Sequence, residues 1–531
     1  MSALAGTWSL VRLALRRDRV LAPVWIAVFV VMAAVSAAAT VDLYPTVASR
    51  VKVADAANAT PSLVALYGRI YAPESLGAVA MWKMAGTGAL LVAVLGIVIA
   101  VRHTRAEEEA GRLELVGAAA VGRFAALTAA LVVAVATNLA LGVLAAAGLV
   151  AAGLPAAGSV AFGLSWAGVG ISFAAVGAVA AQVTRSARAA TGIGVATLGV
   201  AFLLRAVGDS SAGRGLEGLS WLSPIGWGQR VQAFAGERWW VLLLSVAFAV
   251  TLTAVAYVLT AHRDLGSGLV PDRTGPPSAA PGMRSPLALA WRLQRGALFA
   301  WSAGFLVLGA VLGSIAANVG SLLDNPRVRE AITQLGGVHV LSDAFLATEM
   351  GILGFVAAAY GVQAALRLRA EETTMRVEPL LAAATTRVRW AASHILVALA
   401  GTTVVLVAAG LGAGSAHAVQ TGDAGQVGRV LAGALVQVPA AWVLTGIVVL
   451  AFGFAPRLAA AGWAFLVGFF LLGELGPLFK LDQLLLDLSP FIHVPRLPGA
   501  ALTVGPLLWL TALTAGLIAL GLAGFRRRDV G

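Results

Sequence analysis

The chain is expected to be an all-α, polytopic membrane protein with about twelve transmembrane helices, arranged as two tandem six-helix repeats. Three observations predict this. Hydrophobic residues make up 59% of the sequence and charged residues only 12%, where a soluble domain carries about a quarter charged, and the mean hydropathy is +0.89. About twelve apolar runs approach the ~20 residues that a ~30 Å hydrocarbon core requires. A charged segment also recurs: RAEEEAGRLELVGAAAVGR, from Arg105 to Arg123, returns as RAEETTMRVEPLLAAATTR, from Arg369 to Arg387, 264 positions later in 531.

Residues 3–19 place Leu4, Trp8, Val11 and Leu15 on one side of a helix and Arg12, Arg16 and Arg19 on another, which predicts an amphipathic helix at the headgroup layer. No small-residue cleavage site follows it, so the first span, 20–40, is expected to be retained. A polar outer segment, 41–83, leads to the second span at 84–101 and then to the charged segment. Spans at 124–153 and 158–183 form a hairpin around Gly153 and Pro155, and a fifth span at 189–207 follows Arg185 and Arg188. The stretch WLSPIGW, 221–227, is too rich in Ser, Gly and Pro for a crossing, and the sixth span is expected at 239–261.

Residues 262–287 hold five prolines and few apolar side chains, the composition of a flexible linker. The domain reading is therefore a first six-span half at 1–261, a linker at 262–287 and a second half at 288–531. Leu289, Arg292 and Arg295 repeat the basic leader, and spans are expected at 297–318, 350–366, 390–412, 427–453, 458–479 and 504–524. Ser489 and Pro490 in DLSPFIHVP repeat Ser223 and Pro224 at an offset of 266. Two halves with an even number of spans have parallel orientation, which leads one to expect an axis along the membrane normal with a path between the halves.

The net charge of +12 is explained by the positive-inside rule rather than by a nucleic-acid partner. With the first residues cytoplasmic, 24 of the 37 Lys and Arg fall on inside segments, so both termini are placed in the cytoplasm of a bacterial plasma membrane. The chain has no cysteine, and its six histidines show no metal-ligand spacing. None of the three lysines, Lys52, Lys83 and Lys480, follows a glycine, so a phosphate-binding loop is absent.

Aligned without gaps, the two charged segments match at ten of 19 positions. In each copy a Glu precedes an Arg by four, Glu108 with Arg112 and Glu372 with Arg376, a helical pairing worth about 0.2 to 0.5 kcal/mol when exposed. That is too little to account for the retention. One reading is a solvated helix whose arginines serve topology; the other is a coupling helix whose carboxylates, with Leu113 and Val116, fit a groove on a cytoplasmic subunit. Within the spans, Asn138, Gln182, Asn318, Gln363, His394 and Gln437 are either interhelical hydrogen-bonding groups or lining of a substrate path. Arg205 and Glu474 stand at similar levels near the outer ends of two spans and form a candidate gate pair, as do Lys83 and Glu349.

The layout of basic leader, long outer segment, RAEE segment after the second span and LSP before the last span resembles the type-two ABC exporter permeases. More narrowly it is similar to the fused twelve-span actinobacterial permeases for polyketide antibiotics and other drugs. DAFLATEMGILG at 343–354, the RAEE segments and LSPFIHVP at 488–495 are the most specific stretches. The resemblance implies that Glu107, Glu108, Arg112 and Glu114, with Glu371, Glu372, Arg376 and Glu378, contact two copies of a cytoplasmic ATP-binding cassette ATPase, which would bind ATP and Mg while this chain binds no cofactor and is no enzyme. The cargo implied is a hydrophobic small molecule. Thr373, Thr374 and Pro379 depart from the first copy, so the two docking sites need not be equivalent.

The alternative is a proton-coupled secondary drug transporter of major-facilitator-like architecture. Against it, the loop between spans two and three lacks a G-x-x-x-D-R pattern, and no carboxylate stands near mid-membrane to carry a proton. A membrane scaffold or sensor is a third reading.

Overall fold

The computed structural model describes residues 2–113, 121–211, 215–264, 266–269, 278, 282, 285–316, 338–383, 385–475 and 482–529; the expectations for Glu114, Val116 and Asn318 fall outside them. The chain forms two compact units, 1–274 and 275–531. Among the described residues there is no strand. Among the described residues eleven helices are long and apolar enough to cross a membrane, and a shorter apolar helix, Pro456–Phe470, stands where the eleventh span was expected. This is an all-α polytopic membrane architecture.

In the first unit α1 (Thr7–Arg17) lies on the bundle through Val11 and Ala14, which pack against Leu95, Ile99 and Val133. Of the expected apolar row only Val11 is buried; Trp8 is 71% exposed. Asp18 turns the chain into α2 (Leu21–Leu43). The outer segment 41–83 is largely helical. It folds into α3 (Val47–Ala59), capped by the Thr46 hydroxyl, α4 (Pro61–Tyr67), opened by a proline where no N–H is needed, and α5 (Leu76–Lys83). A π turn at Met84–Gly88 joins α5 to α6 (Ala89–Arg102), so the second span starts eight residues before the expected 84.

After α7 (Arg105–Glu109), the helices α8 (Ala125–Ala151), α9 (Ala156–Val183), α10 (Ala187–Ser210), α11 (Pro224–Arg230) and α12 (Leu242–Ala261) complete the unit. α9 is its most enclosed span. Small residues allow this: a Cβ on Gly163 would lie 2.1 Å from the Gly142 carbonyl oxygen, and one on Gly96 2.2 Å from that of Gly170, so α8 and α6 meet α9 backbone to backbone. WLSPIGW does not cross. Its Ser223 and the preceding Ser220 are buried, and the Ser223 hydroxyl caps the seven-residue α11.

In the second unit the basic leader and seventh span merge into one continuous helix, α13 (Pro286–Ala316). It is followed by α14 (Val338–Ala365), α15 (Arg367–Thr373), α16 (Glu378–Ala382) and α17 (Arg387–Thr421), which overruns its expected end at 412. The tenth span is broken into α18 (Gly425–Leu435) and α19 (Val438–Phe454), because Pro439 cannot donate to the preceding turn. Then come α20 (Gly462–Leu475), α21 (Gln483–Leu486) and α22 (Val504–Arg527). Trp390, Phe452 and Phe525 fill the core between α17, α19 and α22.

Candidate functional site

The two charged segments form bent elbows rather than continuous helices. In the first, α7 ends at Glu109 and the chain reverses at Gly111, whose φ of +69° is open to glycine at no steric cost. In the second, α15 ends at Thr373 and Met375 takes φ +54° before α16 begins. Residues four apart across such a bend no longer share a face. The expected pairs Glu108 with Arg112 and Glu372 with Arg376 are therefore not formed. Arg112 instead holds Glu107, Nε to Oε2 at 2.8 Å, and Arg17 of α1 reaches the same carboxylate.

Glu108 turns inward. Its carboxylate accepts both terminal nitrogens of Arg263 at 2.7 and 3.0 Å, the Gly266 amide at 2.6 Å, and lies 3.0 Å from the Arg105 Nη1. Arg105 is buried and donates to the carbonyls of Ala181 and Ser267. Arg123, which closes the segment, donates to the carbonyls of Thr260 and Ala261 at the end of α12, where a cation meets the negative end of the helix. The Glu109 carboxylate accepts the Ala187 amide that starts α10. One short helix thus ties the leader, the turn between spans four and five, and the last span.

The second elbow repeats this bracing. Glu372 accepts both terminal nitrogens of Arg528 at 2.5 and 2.7 Å, and the guanidinium lies over the rings of Phe452 and Phe525. Arg369 donates to the Arg457 carbonyl and Arg387 to that of Arg528. Glu371 pairs with Arg367 at 2.7 Å. The side chains facing outward differ: Arg112, 51% exposed, on the first elbow, and Met375, 66% exposed, with Arg376 and Glu378 on the second.

Arg263 and Arg528 were missed in the sequence although a signal was present: Arg263-Asp264-Leu265-Gly266 returns as Arg528-Asp529-Val530-Gly531 at an offset of 265. A second missed group sits at the α1–α2 corner, where buried Asp18 meets His103 Nε2 at 2.5 Å and Arg102 Nε at 3.0 Å. Burial would raise the Asp18 pKa, but the hydrogen bond from His103 and the charges of His103, Arg102 and Arg17 outweigh it and hold it below the ordinary 3.8.

The candidate path residues take their partners within their own units. Asn138 is buried, donates to the Ala134 carbonyl, and is packed directly against Gly170. Gln182 belongs to the first elbow, its Oε1 accepting from Arg263 at 2.6 Å. Gln363 accepts from the Trp301 indole, His394 meets Gln294, and Gln437 is buried at the break of the tenth span with an unpartnered Oε1. Arg205 is fully buried and donates to the carbonyls of Val64 and Leu66 in α4, beside Asp209. Its partners lie in its own half, and the side chain of Glu474 lies outside those described. Lys83 stands over the Tyr67 ring, and Glu349 is half-buried.

Eleven long apolar helices among the described residues, in two units each with an internally braced charged elbow, define a polytopic membrane protein. Residues 283–526 match the family model of the multidrug efflux system permease Rv1217c, C-terminal domain. Over 532 residues the chain is 47% identical to the multidrug efflux system permease protein Rv1217c of Mycobacterium tuberculosis (strain ATCC 25618 / H37Rv), a match covering 100% of this chain and 96% of the relative. The chain belongs to this family of multidrug efflux permeases.

Proposed function

We propose that this chain is the membrane subunit of an ATP-driven exporter that carries hydrophobic or amphipathic compounds, polyketide antibiotics and other drugs among them, out of a bacterial cell. Two copies of a cytoplasmic ATP-binding cassette ATPase bind ATP and Mg and press on the two elbows; both termini lie on their side of the plasma membrane. The observation that carries this reading is the bracing itself. A push on α7 reaches α1 through Arg17, α10 through Glu109 and α12 through Arg263, so the half moves as one piece. The relative's name, a multidrug efflux permease, supports the cargo class.

On this reading Glu108 and Glu372 transmit force inside the permease, and the surface offered to the ATPases is Arg112 on one elbow and Met375, Arg376 and Glu378 on the other. Co-purification of the ATPase with the R112E/R376E variant tests it: binding and drug-stimulated ATP hydrolysis are expected to fall while the permease stays folded. Reconstituted vesicles in which the chain alone moves drug on a proton gradient, indifferent to nucleotide, would establish the secondary-transporter reading instead.

A further inference from the structure

A cleft of about 750 Å³ opens beside the second elbow. Arg369, Glu372, Arg457 and Arg528 form its polar wall, and Pro456 and Leu458 its apolar lip. In the first unit the corresponding place is filled by the chain itself. There the Ser267 carbonyl accepts from Arg105 and Arg263, the Gly266 amide donates to Glu108, and the Leu269 amide donates to the Gln182 carbonyl. Residues 266–269 thus supply the acceptor oxygen that the two arginines face.

In the second unit Glu372 is already satisfied by both terminal nitrogens of Arg528. Arg369 donates to the Arg457 carbonyl, and among the described residues neither Arg369 nor Arg457 forms an ion pair. Among the described residues the cleft carries three guanidinium groups, Arg369, Arg457 and Arg528, against one carboxylate, Glu372. Guanidinium groups match phosphate oxygens in geometry as well as charge. The apolar side is equally marked: Leu458 is 62% and Phe454 65% exposed, where the tenth span gives way to the short apolar helix. Basic pockets at the ends of membrane helices are seats for anionic headgroups.

We propose that this cleft holds the phosphate of an anionic phospholipid from the leaflet on the elbow side. Arg369 and Arg457 take the phosphate oxygens, and an acyl chain runs past Leu458 and Phe454. The lipid wedges the second elbow as residues 266–269 wedge the first, which makes the bracing of the second unit depend on bilayer composition. Charge on both arginines with an apolar lip favours a lipid over a polypeptide strand, and free phosphate lacks the chain that the lip would hold.

The test uses the full chain, delipidated in detergent, with native mass spectrometry and thermal unfolding in the presence of phosphatidylglycerol, phosphatidylcholine or inorganic phosphate. Phosphatidylglycerol alone is expected to stay bound and raise the midpoint. R369A/R457A should hold it roughly 25-fold more weakly, at about fivefold per arginine, while R369K/R457K keeps most of the binding. R188A/R295A, which removes two exposed arginines elsewhere, should behave as wild type. Should the double alanine variant unfold, Arg457→Ala alone, on an exposed side chain, still gives about a fivefold loss. Retention unchanged in R369A/R457A or R457A, an equal loss in R188A/R295A, or an inorganic phosphate effect matching that of phosphatidylglycerol overturns the proposal. So does loss of a partner polypeptide with lipid retention intact.

Discussion

Glu108 and Arg263, 155 positions apart, meet through two parallel hydrogen bonds at the end of the first half's last span, and Glu372 and Arg528 repeat the arrangement 156 positions apart in the second. Both carboxylates are nearly shielded from solvent. The retention of the charged segment thus has a physical cause beyond surface helix pairing: each elbow is clamped to the last span by a bidentate ion pair and to its terminal carbonyls by Arg123 or Arg387.

Breaking one side of the clamp leaves a part-buried guanidinium without its carboxylate. Glu108→Ala or Glu372→Ala is expected to cost about 3 kcal/mol, read as a lowered thermal unfolding midpoint in detergent. The exchanged pair E108R/R263E should recover part of that loss. A single variant as stable as wild type would show that the clamp is not formed.

On the side opposite the elbows, Arg205 fixes α4 to the end of α10 through two carbonyls. Arg205→Lys should fail to replace it, because one ammonium cannot supply the planar fork that reaches both carbonyls and Asp209. Hydrogen exchange across residues 60–71 is the readout, with faster exchange expected in Arg205→Lys and Arg205→Ala alike. Protection equal to wild type in Arg205→Lys would remove the argument.

Close backbone approach sets the α8–α9 interface. Gly163→Ala would place its methyl 2.1 Å from the Gly142 carbonyl oxygen, so the two helices must separate, at an overpacking cost of about 1 to 3 kcal/mol. Gly111→Ala should also destabilise, but for a different reason: there nothing lies within 4 Å and only the φ of +69° is at stake. Unfolding midpoints of the two variants, set beside Gly192→Ala at an open site, separate the two causes.

The corner at Asp18 carries a pH dependence whose sign follows from its lowered pKa. Folding favours the charged carboxylate, so its contribution is complete above the unfolded value of 3.8 and is lost as pH falls through the lower folded value. Asp18→Asn should therefore be less stable than wild type above the unfolded value of 3.8, and the margin should close as pH falls through the lower folded value. A difference in unfolding midpoint that kept its full size well below that value would remove the argument.

The class of fold was written in composition, because hydrocarbon admits few ways to satisfy a backbone and long apolar runs can only become helices there. Eleven of the about twelve expected spans were legible for the same reason, along with the short helix of the WLSPIGW segment. Boundaries were not: α5 and α6 fuse, and α13 absorbs its leader, since helix length depends on what the ends pack against. The repeated glutamates could be counted in the sequence, and the sequence alone fixed that they return with their arginines. Which arginine each one takes was decided by tertiary structure, because the bends at Gly111 and Met375 separate the near neighbours and the last span brings Arg263 and Arg528 from more than 150 residues away.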